Sequence, residues 1–374
     1  MQLFDVYPLY DIEPVRAQGS ELWDSKGQKY IDLYGGHAVI SIGHSHPLYV
    51  ERITEQLQNI GFYSNSVKIS SQERLAEKLG EVSGLRDYQL FLVNSGAEAN
   101  ENALKLASFH TGRTKIIAFT KAFHGRTSAA VAATDNPSIK APINFDSHVQ
   151  FVPFNDVEAV LAAIDTDTCA VIMEGIQGVG GIHVATEEFM RAIRTKCDET
   201  GAVFIHDSVQ CGYGRSGEFF TFQHTTILPD LVTTAKGMGN GFPIGGVLIS
   251  PKFQAKHGLL GTTFGGNHLA SVAAGAVLDV IQEEKLIENA AQLGNYWMQE
   301  LRGFSKGIRE VRGQGLMIGI EFEEEVGPIR SKLLHEHHLF TGVAGKHTLR
   351  LLPSLALKKE EADIFLDALK QVLN

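Results

Sequence analysis

A lysine and an aspartate occupy matching places in two apolar runs of this chain. Lys236 follows Leu231-Val-Thr-Thr-Ala and precedes Gly-Met-Gly-Asn-Gly. Asp207 closes Val203-Phe-Ile-His and precedes Ser-Val-Gln-Cys-Gly. A lysine can form a Schiff base with a carbonyl, and an aspartate can keep a pyridine nitrogen protonated. Together they meet the two fixed requirements of pyridoxal phosphate chemistry. Apolar runs that end in a functional residue and then glycine match the carboxyl ends of strands in an open α/β sheet, where ligands bind.

Two further stretches carry groups suited to such a ligand. Asn94-Ser-Gly-Ala-Glu-Ala-Asn100 follows the apolar run Phe91-Leu-Val. A strand turning into a helix at glycine presents free amides and the positive dipole end to a phosphate. Ser95 and Glu98 also have capping-box spacing, so the residues alone leave an ordinary capped helix open. Phe123-His-Gly-Arg-Thr127 supplies an aromatic ring and a guanidinium. The ring suits stacking or core packing, and Arg126 suits bidentate pairing with a carboxylate or plain solvation. His44, His46 and the run His335-Glu-His-His338 lack further ligands at metal-site spacing, so no metal is expected.

In their order and spacing, these stretches, with Thr262-Thr-Phe-Gly-Gly-Asn267 in support, resemble a class III pyridoxal-phosphate aminotransferase. The resemblance runs from the Tyr7 region to the C-terminus and points to the branch that acts on N-acylornithines. It implies fold type I: an α/β large domain with a mostly parallel seven-stranded sheet, plus a small α+β domain. By resemblance, the cofactor is held by Gly96, Ala97, Phe123, Asp207, Ser208, Val209, Gln210 and Lys236. Thr263 of a partner subunit closes the phosphate grip, which implies a homodimer with a shared site. Lys236 and Asp207 are the expected catalytic pair, Lys236 serving also as the general base. Arg126, Thr262, Arg350 and Tyr7 are the expected substrate residues, and Glu174 a supporting group.

The reaction implied is transfer of the δ-amino group of N-acetyl-L-ornithine to 2-oxoglutarate, a step of arginine biosynthesis. N-succinylornithine, ornithine and 4-aminobutyrate aminotransferases, or an aminomutase on the same fold, are the alternatives. A nicotinamide dehydrogenase would need a strand-linked G-x-G-x-x-G, which the chain lacks. Two departures stand out. Ser208 occupies a place where the family usually has glutamate, and so does Val179, in Glu174-Gly-Ile-Gln-Gly-Val-Gly-Gly181. The family glutamate at the latter place pairs with the arginine matching Arg350. With valine there, Arg350 is expected to meet solvent or an anion, or to be neutralised by another carboxylate.

The elements around these residues follow from periodicity. Gln89–Val93, Lys115–Phe119, 149–151, 170–174, 203–206, 231–233 and 246–249 read as strands. They alternate with helices at 97–111, 157–164, 187–200 and 128–133, the pattern of a parallel sheet covered on both faces. Helical spacing also marks 48–60 and 71–82. A long amphipathic stretch at 269–301, broken near Glu284, leads to strands at 307–312, 316–322 and 348–352 and helices at 327–335 and 358–372. The expected division is 1–45, an N-terminal hairpin segment packing on the small domain; 46–260, the large cofactor domain; and 261–374, the connecting helix and small domain.

With 374 residues, 44% hydrophobic, and no apolar run of membrane-spanning length, a soluble cytoplasmic enzyme is expected. Three scattered cysteines give neither a disulfide framework nor a zinc site. The formal charge of −10 speaks against nucleic-acid binding, while small anionic substrates answer to local arginines instead.

Overall fold

The computed structural model describes residues 1–145, 148–304 and 306–374. Seven strands form the central sheet, in the spatial order Gln89–Val93, Gly245–Ile249, Leu231–Thr234, Val203–Asp207, Thr168–Glu174, Lys115–Phe119 and Val149–Val152. All pairings are parallel except those of Gly245–Ile249, which is antiparallel to both neighbours. Alternate residues of each strand enter opposite cores. Val171, Met173, Phe204 and Val232 pack on one side with Phe189, Ile193 and Cys197 of the helix Glu187–Thr200. Ala170, Ile172, Val203, Ile205 and Leu231 pack on the other with Ala99, Ala103 and Ala107 of the helix Gly96–Thr111. Burial on both faces is why these strands read as unbroken apolar runs.

Register sets the level of the functional groups. Asp207 pairs with Glu174 on one side and Thr233 on the other. Both carboxylates therefore stand at the carboxyl edge of adjacent strands, and Lys236 lies three residues past Thr233.

The expected long helix is two, His268–Glu283 and Leu286–Arg302. The break falls at Lys285, whose φ of 52° is left-handed and cannot continue a helix. Beyond it, Ile308–Gln314, Met317–Phe322, Thr348–Leu351 and Gly342–Ala344 form an antiparallel sheet. Trp297, fully buried, packs edge-on against Phe365 of the last helix, Lys359–Leu373, with ring centroids 5.6 Å apart. The N-terminal hairpin, Glu21–Asp24 and Lys29–Asp32, joins this end of the chain through parallel pairing of Lys29–Asp32 with Leu339–Phe340.

The loop after the hairpin returns to the Lys236 turn. The Asn240 Oδ1 accepts from the amides of Ser41 (2.8 Å) and Ile42 (3.1 Å), and its Nδ2 donates to the Gly43 carbonyl (2.9 Å). The Ser41 hydroxyl donates to the Gly237 carbonyl at 2.7 Å, and that of Tyr49 to Gly239 at 2.7 Å. Because these groups are mostly buried, Asn240→Ala strands two amides and a carbonyl. Urea unfolding of the variant is expected to show a loss of about 3 kcal/mol. An unchanged midpoint would mean that the loop is held elsewhere.

Candidate active site

A cavity of about 390 Å³ opens at the carboxyl edge of the sheet. Ser95, Gly96, Ala97, Phe123, Arg126, Glu174, Val179, Asp207, Val209, Gln210 and Lys236 all line it. Five segments distant in sequence thus converge on one volume.

Asp207 is the most constrained group. Its Oδ2 accepts from the Asn100 side-chain amide (2.7 Å) and from His124 Nδ1 (2.7 Å), and its Oδ1 accepts from the Val209 amide (3.0 Å). Burial alone would push the carboxyl pKa up. The His124 hydrogen bond and charge, the Val209 amide and the Lys236 charge outweigh it and hold the group below the usual aspartate value. Asn100 is fixed in turn: its Oδ1 accepts from the Thr233 hydroxyl at 2.6 Å and its Nδ2 also reaches the His124 carbonyl at 2.7 Å. Asn100 and His124 lay inside the quoted motifs, yet the sequence assigned them no task. The signal available was only that both are polar residues flanking cofactor motifs.

Lys236 opens a short 3-10 turn with a left-handed φ of 45°. Burial pushes its amine pKa down, against the pull of the Asp207 and Glu174 carboxylates. Glu174 accepts from the amides of Phe123 (3.0 Å) and Gly178 (3.0 Å). Burial raises its carboxyl to about 7, which leaves it able to hold a proton near neutrality.

The turn expected to hold the phosphate is a close backbone fit. A Cβ on Gly96 would lie 2.5 Å from Val209 Cγ1, so only glycine lets the strand-to-helix turn sit here. Ser95 caps the helix, its hydroxyl accepting from the Glu98 amide at 3.2 Å. The Glu98 carboxylate accepts from the Asn94 amide at 2.6 Å. The cap leaves the first-turn amides of Gly96 and Ala97 free for a phosphate, since they precede any intrahelical acceptor. Gln210 donates to the His37 carbonyl (3.0 Å), while its buried Oε1 has no partner among the described residues. Ser208 turns away from the cavity and meets His206 Nδ1 at 2.8 Å.

The substrate residues divide. Arg126 is exposed on the cavity wall, with no hydrogen bond or ion pair among the described residues. Thr262 lies outside the lining, its Oγ1 3.5 Å from Asn94 Nδ2, and Thr263 is exposed. Tyr7 is 74% exposed in an N-terminal segment away from the cavity. Arg350 meets no carboxylate among the described residues, against the expectation that another acid could neutralise it. It is buried, and donates to the carbonyls of Val343 (2.9 Å) and Gly178 (3.1 Å) and to the Tyr34 hydroxyl (3.0 Å). Neutral acceptors thus occupy the guanidinium, and Gly178 places it just behind Val179.

Comparison with known proteins agrees with this geometry. The aminotransferase class-III family profile matches residues 6–373. The chain is a class III aminotransferase. Among its relatives, the acetylornithine aminotransferase of Caldanaerobacter subterraneus is 39% identical over all of this chain and 97% of its own length. That of Bacillus subtilis is 38% identical, over 99% and 97%. Among solved structures, the ornithine aminotransferase of Toxoplasma gondii superposes with a TM-score of 0.92 at 26% identity, covering 98% of this chain and 91% of that one. The acetylornithine aminotransferase of Elizabethkingia anophelis gives 0.87 at 30% identity, covering 98% and 95%.

Pyridoxal phosphate is the cofactor of this class, and the donor set fits it. A glycine cradle with free amides, an aromatic face at Phe123, a pinned carboxylate and a lysine surround one cavity. When bound, it supplies an electron sink for the substrate carbon. With the cofactor bound, the ionised Asp207 would hold its ring nitrogen protonated, and the Lys236 amine would be the cavity group suited to move a proton.

His124→Phe keeps a ring and removes one of the two side-chain donors to Asp207. The carboxyl pKa then rises, and the acidic limb of the pH–rate profile is expected to move to higher pH, with turnover falling about tenfold. An acidic limb that stayed in place would separate His124 from the ionisation of Asp207.

Proposed function

We propose that this class III aminotransferase moves the δ-amino group of N-acetyl-L-ornithine to 2-oxoglutarate, giving N-acetyl-L-glutamate 5-semialdehyde and L-glutamate. The supporting observation is near end-to-end similarity, at 38–39% identity, to relatives named acetylornithine aminotransferase. The cavity is consistent with it. Arg126 offers an unengaged planar guanidinium to the donor's α-carboxylate while Lys236 waits at the reacting end. Glu174, which also lines the cavity, is already bound to two amides and makes no ion pair with Arg126.

A shared site in a homodimer is part of this reading. Thr263 is exposed and outside its own cavity. Next to it Phe264, 59% exposed, packs against the exposed Phe62 with centroids 5.4 Å apart. Such a surface suits burial against a second copy that receives Thr263 at its phosphate end. No helix among the described residues is long and apolar enough to cross a membrane, and a cytoplasmic location accords with a biosynthetic role.

One observation favours a second donor. Val179 leaves Arg350 without an acidic partner, so an acyl group bearing its own carboxylate would be drawn there. N-succinylornithine is that donor. A panel of acetylornithine, succinylornithine, ornithine and 4-aminobutyrate with 2-oxoglutarate tests both readings. The N-acylated donors are expected to lead, and Val179→Glu to lower the succinyl-to-acetyl ratio. Preference for ornithine or 4-aminobutyrate would contradict the proposal, as would turnover needing no oxoacid. Arg126→Ala should raise the donor KM by about a hundredfold, the loss of a charged hydrogen-bonded pair, and an unchanged KM would remove Arg126 from the donor site.

A further inference from the structure

The Arg126 guanidinium meets no partner among the described residues, so its place in the cavity is set by the backbone that carries it. The residue before it, Gly125, has a left-handed φ of 135°, and a Cβ there would lie 2.7 Å from Ala97 Cβ. The loop is thus pressed against the first turn of the helix Gly96–Thr111. One turn further along the same face of that helix stands Glu101. Its Oε2 accepts from the Thr127 hydroxyl (2.7 Å) and from the amides of Ala129 (2.9 Å) and Ala130 (3.0 Å). Its Oε1 meets the Ala129 amide at 3.0 Å.

These bonds stand in for an ordinary cap. The short helix Ser128–Ala132 begins two residues after Arg126, yet its N-cap residue, Thr127, gives its first turn no side-chain bond. The orphan amides are answered instead by a carboxylate from another helix, at an end where the dipole favours negative charge. On the far side, the Thr134 hydroxyl accepts from the His124 amide (2.9 Å) and donates to the Ala130 carbonyl (2.9 Å). Arg126 therefore rides on backbone held both before and after it. Glu101 is engaged by these donors and forms no ion pair with Arg126 among the described residues.

We propose that Glu101 is a positioning residue for donor choice: by fixing Thr127, Ala129 and Ala130 it aims Arg126, and so sets the preference for a donor with a free α-carboxylate over an uncharged one. The inference rests on the reading of Arg126 as the partner of the donor's α-carboxylate. A bidentate guanidinium–carboxylate pair needs the two planes aligned, and a small displacement of the carrying backbone spoils that alignment.

Calorimetric titration of the cofactor-loaded protein with N-acetyl-L-norvaline, the proposed donor without its δ-amine, and with its uncharged amide tests this without turnover. Wild type is expected to prefer the acid. Glu101→Ala should weaken the acid roughly tenfold, the scale of one hydrogen bond to a charged group, and leave the amide unchanged. Glu101→Gln, whose side-chain oxygen can take the Oε2 place, should restore most of the loss. In an Arg126→Ala background, Glu101→Ala should cost nothing more, because the two residues act as one unit. If Glu101→Ala does not fold, Thr127→Val carries the test, with a smaller loss confined to the acid. Equal weakening of acid and amide in a folded variant, or a full further loss in the Arg126→Ala background, would overturn the proposal. An acid preference lost in Arg126→Ala but kept in Glu101→Ala would refute this inference alone, whereas one kept in Arg126→Ala would refute the reading of Arg126 and this inference with it.

Discussion

A negative charge kept at the buried end of a sheet is the constraint around which this protein is arranged. Asp207 sits where burial works against ionisation, and its charge survives because Asn100, His124 and the Val209 amide all donate to it. Each donor comes from a different motif. Asn100 belongs to the helix beginning at Gly96, His124 to the loop after Lys115–Phe119, and Val209 to the turn after the Asp207 strand. Holding the charge therefore fixes the relative placement of the Gly96 turn, the Phe123 loop and the strand end.

The Lys236 side is fixed by different means. Its turn is left-handed at the lysine, and the hairpin-linked loop at Ser41 to Gly43 grips the turn through Asn240. That loop continues from the Gly35–Ala38 turn carrying His37, which Gln210 also holds. The N-terminal segment is thus joined to the reacting end, while the partner of Arg350 is Tyr34 at the root of the same loop. The hold on Arg350 and the placement of the Lys236 turn share one piece of backbone.

Much of this was legible in the amino-acid sequence, for physical reasons. Asp207 and Lys236 stand out because their chemistry is scarce and because strands buried on both faces read as continuous apolar runs that mark their own ends. The break before Leu286 was visible in the pattern of the long amphipathic stretch. Leu339–Phe340 and Gly342–Ala344 were missed because two or three residues carry no periodicity. The roles of Asn100, His124 and Tyr34 were hidden for another reason: their partners lie 107, 83 and 316 residues away. Val179 was marked as a departure, but sequence could not reveal that a phenol and two carbonyls would meet Arg350.

The central claim is that one lysine, Lys236, faces the cofactor above the pinned Asp207. Borohydride reduction of the cofactor-loaded protein, followed by proteolysis and mass mapping, addresses it directly. The account predicts a single modified peptide containing Lys236, and no stable label in Lys236→Ala. Modification of any other lysine as the main product would contradict it.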